Sequence, residues 1–351
     1  MKYEKIIDLL TKRGLKIPNF MVDKIPVSYL EKDDMKNIVR DDILKVKKIL
    51  NERSIELNRY FETISSSEIQ YLCKWLENNI VPYLKDIYME RNNGEIINLK
   101  SEVIEFENLH KYYLDVDESW IDDVLQCAKE IDTTFYDNLK KANSHGLWDI
   151  GNYYGKCSEG FSIYLVDDDL TYISIAKEDN KTDKIYLAHE VGHAYYNFIH
   201  KKKIGLFNDF VDTEYEATKF SILCMLNENK EIFDDFISNI LSDICLKMTN
   251  IYLSIQLAKY GVDIDKITQE YFQIISKITP WIVDDIEFEK SFMKYNWLNI
   301  VLVDRLDKYD VYYLISELKA LYWGIENNII TNMKFKGESL CEIITRSDMM
   351  F

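Results

Sequence analysis

The chain has 351 residues, with 60 acidic against 43 basic side chains and a formal net charge of −17. That balance opposes nucleic acid and anionic membrane surfaces, both of which need clustered Lys and Arg. With 47% apolar and 13% aromatic residues the chain is too hydrophobic to stay unfolded, and no apolar run approaches the roughly 18 residues that span a bilayer.

The N-terminus, Met1 to Lys5, leads into a short amphipathic stretch without a long apolar core or a small-residue cleavage site. A cytoplasmic protein without a secretory signal is expected. Pro18 and Pro26 break the pattern over residues 1–36. Helical spacing then appears over 40–64 (Ile43, Val46, Leu50, Leu57), over 67–91 (Ile69, Leu72, Trp75, Leu76, Ile80, with a kink expected at Pro82) and over 118–141. Gly146, Gly151, Gly155 and Gly160 crowd the next segment and mark it as non-helical. Two β-like runs follow, Phe161 to Val166 and Thr171 to Ala176, and Asp167-Asp168-Asp169 between them suits a hairpin turn. Helical patterns resume at 183–202, 210–227, 230–260, 264–278, 285–304 and 308–328. The expected fold is mostly α, with a small β-sheet inserted before the helix at 183–202. An N-terminal helical part (1–144) and a C-terminal part with the sheet (145–351) are expected to form one continuous domain with a cleft. The cysteines (Cys73, Cys127, Cys157, Cys224, Cys245, Cys341) lie too far apart in sequence for a zinc ribbon or a redox pair, and are expected as reduced thiols.

Residues 189–193 read His-Glu-Val-Gly-His, an H-E-x-x-H motif. Positions i and i+4 share a helix face, so His189 and His193 can hold one Zn²⁺ from the same side. Glu190 is then placed to take a proton from the attacking water. With only five histidines in the chain, chance would produce this pattern about 0.005 times. Leu187, Ala188 and Val191 are the uncharged flanks expected of a helix buried beneath a site, and Gly192 suggests close packing.

A third ligand is needed. The position six residues after His193 is Ile199, and His200 lies one residue too far, which rules out a third histidine on that spacing. The segment 209–220 offers Glu214 and Glu216, whose side chains point about 200° apart on a helix. Glu214 shares its face with small Ala217 and Thr218, which would allow close helix approach. Glu216 shares its face with Phe220 and Leu223, an apolar stripe expected to point inward. Periodicity leaves the two open.

Three patches of this sequence resemble the thimet oligopeptidase and oligoendopeptidase F family of zinc metallopeptidases. They are His189 to His193, the glycine-bearing Gly155 to Phe161 with the strand Tyr172 to Ala176, and the tyrosine-rich Tyr309 to Glu317. The resemblance implies a largely helical fold with a deep channel and a small sheet. It selects Glu216, followed by Ala217 and Thr218, as the third zinc ligand. It assigns hydroxyls on the 309–317 helix to stabilising the tetrahedral intermediate: Tyr309 with Tyr312 or Tyr313. It puts the strand holding Tyr172 and Ser174 beside the peptide, with an edge free to pair with it. The chain departs from the family in lacking a histidine over 285–308 and in carrying Ser316 where a second catalytic tyrosine is expected. It is also shorter than typical members, so part of the helical lid is expected to be missing or reduced.

The resulting expectation is a cytoplasmic endopeptidase with one Zn²⁺, acting on short or unfolded peptides. Zinc is expected on His189, His193 and Glu216, with Glu190 as general base, Tyr309 and Tyr312 as oxyanion donors, and Tyr313, Tyr172 and Ser174 against the substrate. The alternatives are a maturation protease for one precursor peptide and a catalytically impaired peptide-binding protein on the same fold.

Overall fold

The computed structural model describes residues 51, 54–55, 57, 66–91, 119–151, 160–165, 168–176, 182–201, 210–260, 263–278, 309–331, 333 and 342–344. In chain order the elements are α1 (Ser66–Arg91), α2 (Ser119–Ile131), α3 (Thr133–Ser144), β1 (Trp148–Gly151), β2 (Phe161–Leu165), β3 (Leu170–Ala176), α4 (Thr182–His200), α5 (Phe210–Met225), α6 (Lys230–Tyr260), α7 (Ile264–Ile278) and α8 (Tyr309–Glu326). The helix expected over 285–304 lies outside the described residues, as does most of that over 40–64. No described helix is long and apolar enough to cross a membrane.

The described residues fall into two units. One takes those between Phe106 and Phe233, the other those of Ser28–Glu105 and Asp234–Phe351. The boundary expected at 144/145 therefore falls inside the first unit, between α3 and β1.

In the first unit, Asp132 interrupts what the spacing predicts as one helix over 118–141. Its carboxylate accepts from the backbone N–H groups of Thr134 (2.7 Å) and Phe135 (3.1 Å), capping α3. The three strands are ordered β1-β3-β2. β2 and β3 form the expected antiparallel hairpin, with Leu165 opposite Leu170 and Phe161 opposite Ser174. β1 runs parallel to β3, with Trp148 opposite Ile173. The central strand is buried on both faces. Ile173 and Ile175 pack with Leu187, Ala188, Val191 and Ala194 of α4 and with Val124 and Ala128 of α2. Leu170 and Tyr172 pack on the other face with Ala142, Leu147 and Ile163.

The hairpin turn is tied down. Asp169 takes a left-handed backbone (φ 53°), which Asp tolerates better than most residues. Its carbonyl accepts from the Asn138 side chain, and its carboxylate accepts from the Tyr164 hydroxyl. Lys201, immediately after α4, donates to Asp169 and to Tyr164, both at 2.8 Å, and lies over the Phe198 ring. At the other end of α4, the buried Lys184 pairs with Asp123 of α2 (2.9 Å) and with Glu228 just beyond α5 (2.6 Å).

In the second unit, α1 continues through the exposed Pro82. Leu72, Trp75 and Leu76 of α1 gather around one small gap with Met248 of α6, Leu314 and Leu318 of α8, and Ile343. Tyr252 of α6 donates to Glu270 of α7 at 3.1 Å. Lys247 of α6 is held between Asp243 and Glu317 of α8. Cys73 and Cys245 here, like Cys127 and Cys224 in the first unit, are buried free thiols.

Candidate metal centre

The H-E-x-x-H motif lies in the middle of α4. Its apolar positions, Leu187, Ala188, Val191 and Ala194, are fully buried, which fixes the rotation of the helix. His189 and His193 then stack one turn apart on the same side, with ring centroids 4.6 Å apart and planes at 88°. Ligand-type atoms of His189, Glu190 and His193 all lie within 4.8 Å of one another.

α5 completes the group because it packs unusually close to α4. A Cβ on Gly192 would stand 2.5 Å from the Cα of Ala217 and 3.0 Å from the carbonyl oxygen of Glu216. Glycine on one helix faces alanine on the other, and the backbones nearly touch. Thr213, Glu214, Ala217, Thr218 and Ser221 are all buried along α5.

This approach brings Glu214 to the histidines. Its Oε2 is 3.2 Å from Nε2 of His189, and its Oε1 is 3.4 Å from Nε2 of His193. One carboxylate thus faces the outward nitrogens of both imidazoles. Glu216, the residue the resemblance selects, is not brought there: its carboxylate lies 3.2–3.3 Å from Nζ of Lys219 on the same helix. The physical reason is the one periodicity offers for Glu214, that the face carrying Ala217 and Thr218 lets the two helices meet. The stripe through Glu216 and Phe220 is split, since Phe220 joins the core while Glu216 stays part-exposed.

Glu190 is buried beside the pair, and its Oε2 has no hydrogen-bond partner among the described residues. Burial pushes its carboxyl up to about 8; His189 pulls it down and the Glu214 charge adds to the rise. Burial pushes His193 down to about 4, against the pull of the Glu214 carboxylate. The neutral imidazole this favours is the form that binds a cation.

The hairpin supplies the other wall. A Cβ on Gly160, just before β2, would lie 2.7 Å from Oε1 of Glu190. In the sequence Gly160 belongs to the glycine cluster and to the Gly155 to Phe161 patch of the resemblance, but its contact partner is 30 residues away, so no local pattern pairs it with Glu190.

The remaining expected residues lie as follows. Tyr172 is fully buried on β3, its hydroxyl donating to Asp149 at 3.3 Å and its ring centroid 5.6 Å from that of Phe161. Ser174, also on β3, is fully buried. The edge expected on this strand is not free, because β3 is central and pairs with β1 on one side and β2 on the other. Tyr312 and Tyr313 are half-buried on α8 in the second unit, with Nζ of Lys247 4.8 Å from the centre of the Tyr313 ring. Ser316 donates to the carbonyls of Tyr312 and Tyr313, both at 2.9 Å. Tyr309 opens α8, but its side chain is outside the described part.

No protein-family model matches the chain, and no curated protein matches it. Solved structures do. The structure of PZ peptidase A with inhibitor 2 aligns over 91% of this chain and 66% of its own, with a TM-score of 0.57 and 15% identity. A structure described as an oligoendopeptidase F aligns over 91% of this chain and 66% of its own, with a TM-score of 0.57 and 14% identity. The chain has the fold of these two structures. It spans about two thirds of the length of each, 66%. The mostly helical architecture with a small sheet before the motif helix, expected from the sequence, is the architecture found.

Proposed function

We propose that this chain is a zinc-dependent peptidase hydrolysing short or unfolded peptides. One observation carries the reading: a buried carboxylate from α5 meets the outward nitrogens of two histidines one turn apart on α4, with Glu190 beside them. Two imidazoles and a carboxylate are the donor set of a catalytic zinc that keeps a fourth position open. His189, His193 and Glu214 would hold the ion, with Glu214 in the role the sequence resemblance gives to Glu216. Zinc, when bound, supplies Lewis-acid polarisation of the peptide carbonyl.

The protein's own groups do the rest. Glu190, whose Oε2 has no hydrogen-bond partner among the described residues, would take the proton of the attacking water and pass it to the leaving amine. The outer edge of β2 is unpaired among the described residues, so an extended peptide can lie along it, next to Gly160 and Glu190. The α8 tyrosines, Tyr309, Tyr312 and Tyr313, are proposed as oxyanion donors on the strength of the resemblance alone. The fold shared with peptidase structures supports peptide as the substrate class.

The test is metal analysis with a peptide-library digest of wild type and Glu190→Gln. The expected result is zinc in both and turnover only in the wild type, lowered by at least about a hundredfold in the variant. Wild-type turnover in the variant would overturn the proposal.

A further inference from the structure

We infer that Gly160 is a positioning residue for Glu190: the missing side chain at 160 is what allows the Glu190 carboxylate to occupy its place beside the histidines. The inference rests on the peptidase reading for its catalytic meaning, and on geometry alone for the contact.

A Cβ built on Gly160 would meet Oε1, Cγ and Cδ of Glu190 at 2.7, 3.0 and 3.1 Å, and these are its three nearest atoms. The hairpin backbone therefore presses on the carboxylate itself. Gly146 is the described glycine with a positive φ, and Gly160 does not share that conformation. Backbone freedom is thus not the reason for glycine at 160, and alanine fits the backbone there. Space is the reason. The residue is exposed while Glu190 behind it is buried, so Gly160 forms the thin wall between the carboxylate and the surroundings.

The Oε2 of Glu190 makes no hydrogen bond among the described residues, so at that oxygen no hydrogen bond fixes the carboxylate, and the hairpin backbone at Gly160 limits how far it can move. The hairpin in turn is anchored at its turn by Asn138, Tyr164 and Lys201. A methyl at 160 would be accommodated by the flexible end of the glutamate, not by the strand. The cost falls on placement, and a displacement of about 1 Å in a reacting group can lower a rate by a hundredfold.

The experiment is a two-residue cycle, Gly160→Ala and Glu190→Asp singly and together, read in two ways. The first is urea unfolding of the full-length, chelator-treated protein. At an ordinary site Gly→Ala raises the midpoint by restricting the unfolded chain. Here Gly160→Ala is expected to lower it in the wild-type background and to raise it in the Glu190→Asp background, where the carboxylate is withdrawn by one methylene. An equal shift in both backgrounds would overturn the inference. The second is kinetics of the zinc-loaded protein. Gly160→Ala is expected to lower kcat by about 10- to 100-fold with KM within about twofold and zinc content unchanged. A wild-type kcat in Gly160→Ala, with Glu190→Gln inactive, would also overturn it. If the wild type turns over no peptide, the peptidase reading fails while the unfolding cycle still decides the contact.

Discussion

Gly192 of α4 faces Ala217 of α5 so closely that a methyl group at 192 would lie 2.5 Å from the Cα of Ala217. Backbone cannot yield as a side chain does, so Gly192→Ala must drive the two helices apart. Overpacking of this kind costs about 1–3 kcal/mol, against the roughly 1 kcal/mol that Ala gains over Gly in a helix. The expected outcome is a net loss of stability in urea unfolding together with weakened zinc binding, because Glu214 is withdrawn from the histidines. Unchanged zinc content would show that the spacing of the two helices does not control the site.

Glu214 and Glu216 separate by their partners. Glu214→Gln should lower zinc affinity by well over about tenfold, since ligands matter more than the groups that merely support them. Glu216→Ala removes only the pairing with Lys219, a part-exposed contact of the kind worth about 0–1 kcal/mol, and should leave zinc content at the wild-type level. Metal analysis of the two purified variants checks this, and zinc loss in Glu216→Ala alone would exchange their roles.

The metal-free protein should show a distinctive response to pH. Glu190 has its folded-state pKa raised to about 8 from 4.5, so the folded state holds a proton the unfolded chain gives up, and stability falls as pH rises across that interval. His193 is lowered to about 4 from 6.5, so the unfolded chain binds the extra proton, and stability falls as pH drops across that interval. The two slopes oppose each other below about pH 6.5. Above it the opposing His193 slope is gone, and Glu190 should contribute a decline of up to about 1.4 kcal/mol per pH unit until about pH 8, beside that of the buried Glu317, whose carboxyl is also raised. Glu190→Gln should make that decline shallower by the Glu190 share. Thermal melts in chelator from pH 5 to 9 measure it, and an unchanged slope in the variant would assign the effect to another group.

In the second unit, Lys247 lies between Asp243 and Glu317, and one oxygen of Glu317 is buried without a partner among the described residues. Burial pushes the Glu317 carboxyl well above the usual range, against the pull of Lys247. Lys247→Met strands that carboxylate and should cost about 3–5 kcal/mol. Lys247→Met combined with Glu317→Leu should recover most of the loss, because an apolar pair replaces a buried charge. Urea midpoints of the single and double variants decide the matter; a double variant as unstable as the single would mean that packing, not charge, holds α6 to α8.

Much of the fold is legible from local pattern. The hairpin announces itself by two β-branched and aromatic runs around Asp167-Asp168-Asp169, and the motif helix by its uncharged flanks. Features that depend on distant partners are not legible. β1 has four residues and pairs parallel with a strand some 25 positions later, so no turn signal accompanies it. Asp132 reads as one more polar residue in a helical stretch until its capping bonds are seen. Glu214 was readable in part: the small residues on its face report helix contact, yet nothing local tells how far a second helix will rotate. Gly160 and Glu190 meet between the hairpin and α4, and that proximity exists only once the two have packed together.

Lys201 closes α4 and at the same time bonds the hairpin turn through Asp169 and Tyr164. Helix end and turn thus share one fastening. The hairpin of β2 and β3 and the helix α4 are then joined twice, by the strand packing against the motif helix and by this lysine at its end. Loss of order should spread through them as one cooperative foldon, with amide protection of the hairpin rising and falling with that of the helix.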